Sequence, residues 1–119
     1  MILLVEDDTR VAGLIQEVLE LEGYAIEVVR DGAVALDRVL TTNYEAVLCD
    51  VSLPGLDGAT IYRKLAQFRP DLLPRVAFIT GHDFAKVARL LETAPPRTLR
   101  KPFSIDELRR FVRDLLNAA

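Results

Sequence analysis

Ala46-Val47-Leu48-Cys49-Asp50, followed at once by Val51-Ser52-Leu53-Pro54-Gly55, sets the fold class of this chain. Four apolar residues run into an acid and then into turn chemistry. A carboxylate at the end of a buried strand is costly unless something compensates it. The same arrangement recurs elsewhere. Ile2-Leu3-Leu4-Val5 ends in Glu6 and Asp7, Val76-Ala77-Phe78-Ile79 ends in Thr80, and the weaker run Thr98-Leu99-Arg100 is followed by Lys101. Four apolar runs each deliver a polar group at their carboxyl end.

Between these runs the hydrophobic period changes from strand-like to helix-like. Strands are expected over 2–6, 24–29, 45–50, 75–80 and 97–100, each a short apolar or β-branched run bounded by turn signals. Val11, Leu14, Ile15, Val18 and Leu19 follow helical spacing, and Gly23 reads as the stop. Leu36, Val39 and Leu40 mark a second helix after the Asp31-Gly32 turn. Ile61, Leu65 and Phe68 mark a third, with Asp57 as N-cap and Pro70 as its end. Phe84, Val87, Ala88 and Leu91 mark a fourth, closed by Pro95-Pro96. The last helix carries Leu108, Phe111, Val112, Leu115 and Leu116. It opens on a capping box, Ser104 with Glu107, and on a hydrophobic staple, Phe103 with Leu108. Alternating strands and helices imply an α/β fold, a mostly parallel sheet covered on both faces. In such sheets ligands bind beyond the carboxyl ends of the strands. Glu6, Asp7, Asp50, Thr80 and Lys101 all map to that edge.

At 119 residues one domain spanning 1–119 is expected. The net charge of −3 gives no basic footprint for nucleic acid. No apolar run approaches the roughly 20 residues of a membrane span, and the start of the chain does not resemble a signal peptide. The single cysteine, Cys49, excludes a disulfide framework and reads as a small core residue. These features fit a cytoplasmic setting without membrane contact.

Glu6, Asp7 and Asp50 would share one crevice if the first and third strands are neighbours. Carboxylates that close raise one another's pKa unless a cation intervenes. Mg²⁺ suits a few carboxylates plus a phosphate oxygen, and Lys101 supplies a second positive charge. An aspartate can act as nucleophile toward phosphorus, and phosphoryl transfer is catalysed mainly by positioning and charge neutralisation. Asp50 as acceptor, with Mg²⁺, Lys101 and the Thr80 hydroxyl, makes a complete phosphoacceptor site. Asp8 is better placed to cap the first helix.

Those residues resemble the response-regulator receiver domains of the CheY-like family over the full length of the chain. The resemblance rests on Leu4-Val5-Glu6-Asp7-Asp8, on Asp50 with Leu53-Pro54-Gly55-Leu56-Asp57-Gly58, on Ile79-Thr80-Gly81, and on Lys101-Pro102-Phe103. Each motif alone is weak; in this order and spacing they are specific. The resemblance implies a flavodoxin-like (βα)5 sheet of order 2-1-3-4-5. It implies that Asp50 accepts phosphate from a histidine. Glu6, Asp7, Asp50 and the Ser52 backbone carbonyl would hold Mg²⁺. Thr80 and Lys101 would contact the phosphoryl group, and a cis peptide bond would precede Pro102. Ser52 and His82, each two residues beyond a site residue, are the positions that tune phosphoryl loss in this family. The implied partners are a histidine kinase or a histidine phosphotransfer protein, and a downstream protein partner.

The chain departs from the family pattern at Thr98, where an aromatic residue often couples phosphorylation to an output face. It departs again at Pro95-Pro96, where Gly-Ala is common, and at Gly81, which leaves more access to the acceptor. The stretch from Arg75 to Lys101 is similar to receivers fused to hybrid histidine kinases. The lack of an effector segment after Ala119 and the early first strand suggest a domain from a larger kinase or a stand-alone receiver. A homodimer through the face of the fourth and fifth elements stays open. A phosphorylation-independent binding module on the same fold is the rival reading. An aspartate-based phosphohydrolase ranks lower because its second acid, two residues on, is replaced by Ser52. A flavodoxin is disfavoured because the first strand ends in acids where phosphate binding wants Ser, Thr and Gly amides.

Overall fold

The computed structural model of the chain describes residues 1–53, 55–81, 89, 91 and 96–117. Five parallel strands form one sheet, β1 (Ile2–Val5), β2 (Ile26–Val29), β3 (Ala46–Asp50), β4 (Val76–Thr80) and β5 (Arg97–Arg100), in the order β2-β1-β3-β4-β5. This is the flavodoxin-like doubly wound order expected from the sequence. Helices α1 (Thr9–Leu21), α2 (Gly32–Thr41), α3 (Gly58–Phe68) and α4 (Ile105–Leu116) cover it.

Successive residues of a strand point to opposite faces, and the central strands are apolar at every position but the last residues of β3 and β4, Asp50 and Thr80. Leu3, Val5, Val47, Cys49 and Phe78 therefore meet α2 and α3 on one face. Ile2, Leu4, Leu48, Ala77 and Ile79 meet α1 and α4 on the other. Burying a side chain such as Leu48 contributes about 2 kcal/mol. Cys49 lies in the first of these cores and burial pushes its thiol pKa up, so it is unreactive. The edge strands differ: β2 is mostly half-buried and β5 exposes Arg97 and Arg100.

The helix boundaries follow local chemistry. Asp8 caps α1 by accepting from the Arg10 and Val11 amides at 2.9 and 3.2 Å. Asp31 caps α2 through Ala33 and Val34, Asp57 caps α3 through Thr60, and Ser104 and Glu107 form the expected capping box of α4. Gly23, at φ +95°, ends α1 in a Schellman arrangement. Its amide donates to the Glu20 carbonyl at 2.9 Å and that of Tyr24 to the Leu19 carbonyl at 3.0 Å.

Some expectations are corrected. α3 stops at Phe68, ahead of Pro70 as expected, but the chain beyond is not a plain connection: Pro70–Arg75 forms a 3₁₀ turn that buries Leu72. Arg69 holds that turn, reaching the Val39 carbonyl at 3.2 Å and Asn43 at 3.0 Å. The second strand begins at Ile26 rather than at 24. Arg109 of α4, at a position that no local pattern marks, pairs with Glu22 of α1 at 2.8 Å. Of the fourth helical pattern, Phe84, Val87 and Ala88 lie outside the described residues, as do His82 and Pro95; Leu91 is buried.

Candidate functional site

Strand order brings the site together. β1 and β3 are neighbours with Val5 level with Cys49, so Glu6 and Asp50 emerge side by side at the carboxyl edge. β4 flanks β3 on its other side with Ile79 level with Asp50, and Thr80, fully buried, follows. The ladders continue one residue past the strands. The Glu6 amide donates to the Val29 carbonyl at 3.0 Å and the Lys101 amide to the Thr80 carbonyl at 2.9 Å. Both side chains thus start from fixed backbone. The Lys101-Pro102 peptide bond is cis, as the resemblance implied.

Lys101 Nζ lies 2.5 Å from Glu6 Oε1 and 3.0 Å from Asp50 Oδ2. The second Asp50 oxygen, Oδ1, accepts from the Ser52 amide at 3.1 Å. The ammonium is the compensation the buried acids require. It is incomplete for Glu6: burial outweighs the hydrogen bond from Lys101, Asp50 adds like charge, and the pKa rises to about 7. For Lys101, burial works to lower the pKa, but the bonds and charges of Glu6 and Asp50 together outweigh it and raise it.

Asp7 is exposed at the rim, and one carboxylate oxygen each of Glu6, Asp7 and Asp50 falls within 4.8 Å of the others. An all-oxygen donor set of this size, carrying more negative than positive charge, fits a hard divalent cation such as Mg²⁺. Ser52 is exposed beside it, and a Cβ added to Gly81, next after Thr80, would meet nothing within 4 Å among the described residues. Thr98 stands level with Phe78 on β5 and turns its hydroxyl onto the Pro96 carbonyl at 3.1 Å, away from any part in the cluster.

The structure therefore assembles Glu6, Asp7, Asp50, Lys101 and Thr80 at one edge, with Ser52 and Gly81 at its mouth. Sequence reasoning places Lys101 near the acids as a second positive charge but does not pair it directly with Glu6. The signal available was the excess of acids over lysine. The close packing at Gly32 was also missed, since Asp31-Gly32 was read as a turn alone.

Comparison with known proteins agrees with this geometry. The family model of the response regulator receiver domain matches residues 2–113. The transcriptional regulatory protein YkoG of Bacillus subtilis is 36% identical over 117 residues, covering 97% of this chain and 50% of that protein. Response regulator MprA of Mycobacterium sp. strain KMS is 33% identical over 115 residues, covering 97% and 50%. The chain thus spans about half the length of the curated relatives it matches. Among solved structures, the receiver domain of sensor histidine kinase PA1611 from Pseudomonas aeruginosa PAO1 has a magnesium ion coordinated in its active site cleft. It is 28% identical with a TM-score of 0.87, covering 98% of this chain and 97% of that one. Response regulator TrrA of Thermotoga maritima, in complex with Mg²⁺-BeF, is 28% identical with a TM-score of 0.83 and 96% coverage of both. With its sheet order, its acidic cluster and its lysine at the expected strand ends, this chain belongs to the response regulator receiver domain family, the signalling modules of two-component systems.

Proposed function

We propose that residues 1–119 form one receiver domain in which Asp50 is the phosphoacceptor. A carboxylate oxygen of Asp50 attacks the phosphorus of a phosphohistidine. The P–O bond to Asp50 forms, the P–N bond breaks, and the imidazole leaves with its electron pair. The donor is a histidine kinase or a histidine phosphotransfer protein, in a cytoplasmic phosphorelay. The observation that carries this reading is the bridging of Asp50 and Glu6 by Lys101, with Asp7 completing an oxygen cluster beside the acceptor.

Each residue has a part. Glu6, Asp7, Asp50 and the Ser52 carbonyl would hold Mg²⁺. When bound, Mg²⁺ supplies positive charge that offsets the incoming phosphoryl oxygens. Lys101 exchanges part of its contact with Asp50 for the transferred group, and Thr80 donates its hydroxyl to a phosphoryl oxygen. Ser52, Gly81 and His82 set how freely water reaches the product. The phosphorylated chain then shifts an equilibrium read by a downstream protein partner, and a second copy of the chain is one such partner.

Labelling with acetyl phosphate tests the assignment. Asp50→Asn is expected to abolish it, and label retained on another residue would overturn the acceptor. A phosphorylation-independent binding module is favoured by one observation, the Thr98 hydroxyl bound to Pro96 where a mobile ring would serve as a switch. Beryllofluoride with Mg²⁺, followed by amide NMR, separates the two readings: spectral change supports the acceptor, and none supports the binding module.

A further inference from the structure

Two glycines mark where the loop between β3 and α3 is pressed against its surroundings. A Cβ on Gly58 would lie 2.6 Å from the Asp50 carbonyl oxygen and 2.9 Å from Val51 Cα. The Gly58 amide also donates to the Val51 carbonyl at 2.8 Å, so the start of α3 is folded back onto the end of β3. A Cβ on Gly32 would lie 1.7 Å from the Leu56 carbonyl oxygen. No side chain can occupy that gap, and its far wall is backbone that a rotamer change cannot move. Gly32 is the first residue of α2, on a different element from the acceptor.

A second contact reinforces the first. Gly55 adopts φ +80°, and a Cβ there would meet Asp31 Oδ2 at 3.3 Å. The same carboxylate uses Oδ1 to hold the Ala33 and Val34 amides at 2.8 and 3.1 Å. Asp31 thus fixes the first turn of α2 on one side and faces the loop on the other. The loop in turn carries the Ser52 amide that binds Asp50 Oδ1.

We propose that Gly32 is a positioning residue for the phosphoacceptor: the amino end of α2 is the abutment that seats the β3–α3 loop against Asp50. This rests on the reading of Asp50 as acceptor. The contact is backbone against backbone, so it passes displacement in either direction. Filling the site moves Ser52 and the loop, and Leu56 moves Gly32 and the turn capped by Asp31.

The ¹⁵N-labelled chain, titrated with Mg²⁺ and beryllofluoride, tests this. The amides of Gly32, Ala33 and Val34 are expected to shift in step with that of Ser52. If Ser52 and Gly58 respond while residues 32–34 stay still, the abutment is overturned. If Ser52 itself does not respond, the acceptor reading falls and the inference falls with it. In addition, Gly32→Ala should weaken Mg²⁺-dependent beryllofluoride binding by about tenfold or more, the scale of losing a supporting partner. Val39→Ala, a buried change on the same helix away from the loop, should destabilise the chain yet bind as wild type. Wild-type binding by Gly32→Ala would overturn the proposal. Should that variant not fold, the wild-type titration decides alone.

Discussion

Lys101 and Glu6, 95 positions apart in sequence, share a 2.5 Å contact at the carboxyl edge of the sheet. Lys101 also holds Asp50 at 3.0 Å, so one ammonium bridges the two most buried acids among the described residues. Removing one partner of such a group leaves an uncompensated buried charge. Lys101→Met is therefore expected to lower stability by about 2–4 kcal/mol at pH 8 without Mg²⁺. Urea unfolding measures it. A loss no larger than that of an exposed lysine would contradict the bridging role.

The elevated pKa of Glu6 gives stability an unusual pH dependence. Its carboxyl moves from 4.5 to about 7 on folding, mainly by burial, so the folded chain binds this proton more tightly than the unfolded chain does. The contribution is fully present below about 4.5 and is lost as pH rises through about 7. At one unit per 1.36 kcal/mol the full change is up to about 3 kcal/mol. Wild type minus Glu6→Gln, compared in chelator at pH 5.5 and pH 8, isolates this group. The wild type should lose ground to the variant as pH rises; the opposite slope would refute the assignment.

Glu6→Gln should also separate stability from cation binding. It retains an oxygen for Lys101 while removing a charge, so the metal-free variant is expected to be at least as stable as wild type at pH 8. Its Mg²⁺ affinity should fall by about tenfold or more. Calorimetric titration with Mg²⁺ reads this directly, and unchanged affinity would remove Glu6 from the ligand set.

The capping box at the start of α4 offers a control remote from the site. Ser104→Ala should cost about 1 kcal/mol in thermal or urea unfolding and leave Mg²⁺ binding at the wild-type level. A much smaller cost would mean that tertiary packing alone holds the first turn of this helix.

The sequence carried the sheet, the caps and the cluster for identifiable reasons. Short continuous apolar runs bounded by turn signals read as strands covered on both faces, and each run's terminal residue announces itself by its polarity. Asp8, Asp57 and Ser104 act within three residues of themselves, so local spacing suffices to find them. What escaped was tertiary. Pro70 is a sound helix stop, but the 3₁₀ turn beyond it depends on Leu72 finding a core and on Arg69 reaching Val39. The Arg109–Glu22 pair requires two helices to lie on the same face. The Gly32 contact requires knowing which loop passes over α2, and no local pattern encodes that.

Cys49 lies beside Asp50 on β3, is 1% exposed, and is the chain's sole cysteine. A thiol reagent can reach it only when the central strand comes apart. Its rate of modification is therefore a built-in clock for opening of the sheet at the very strand that ends in the acceptor. The clock reads from a single absorbance trace. Because the native thiol is silent, a cysteine introduced at an exposed position can be labelled selectively in the folded protein.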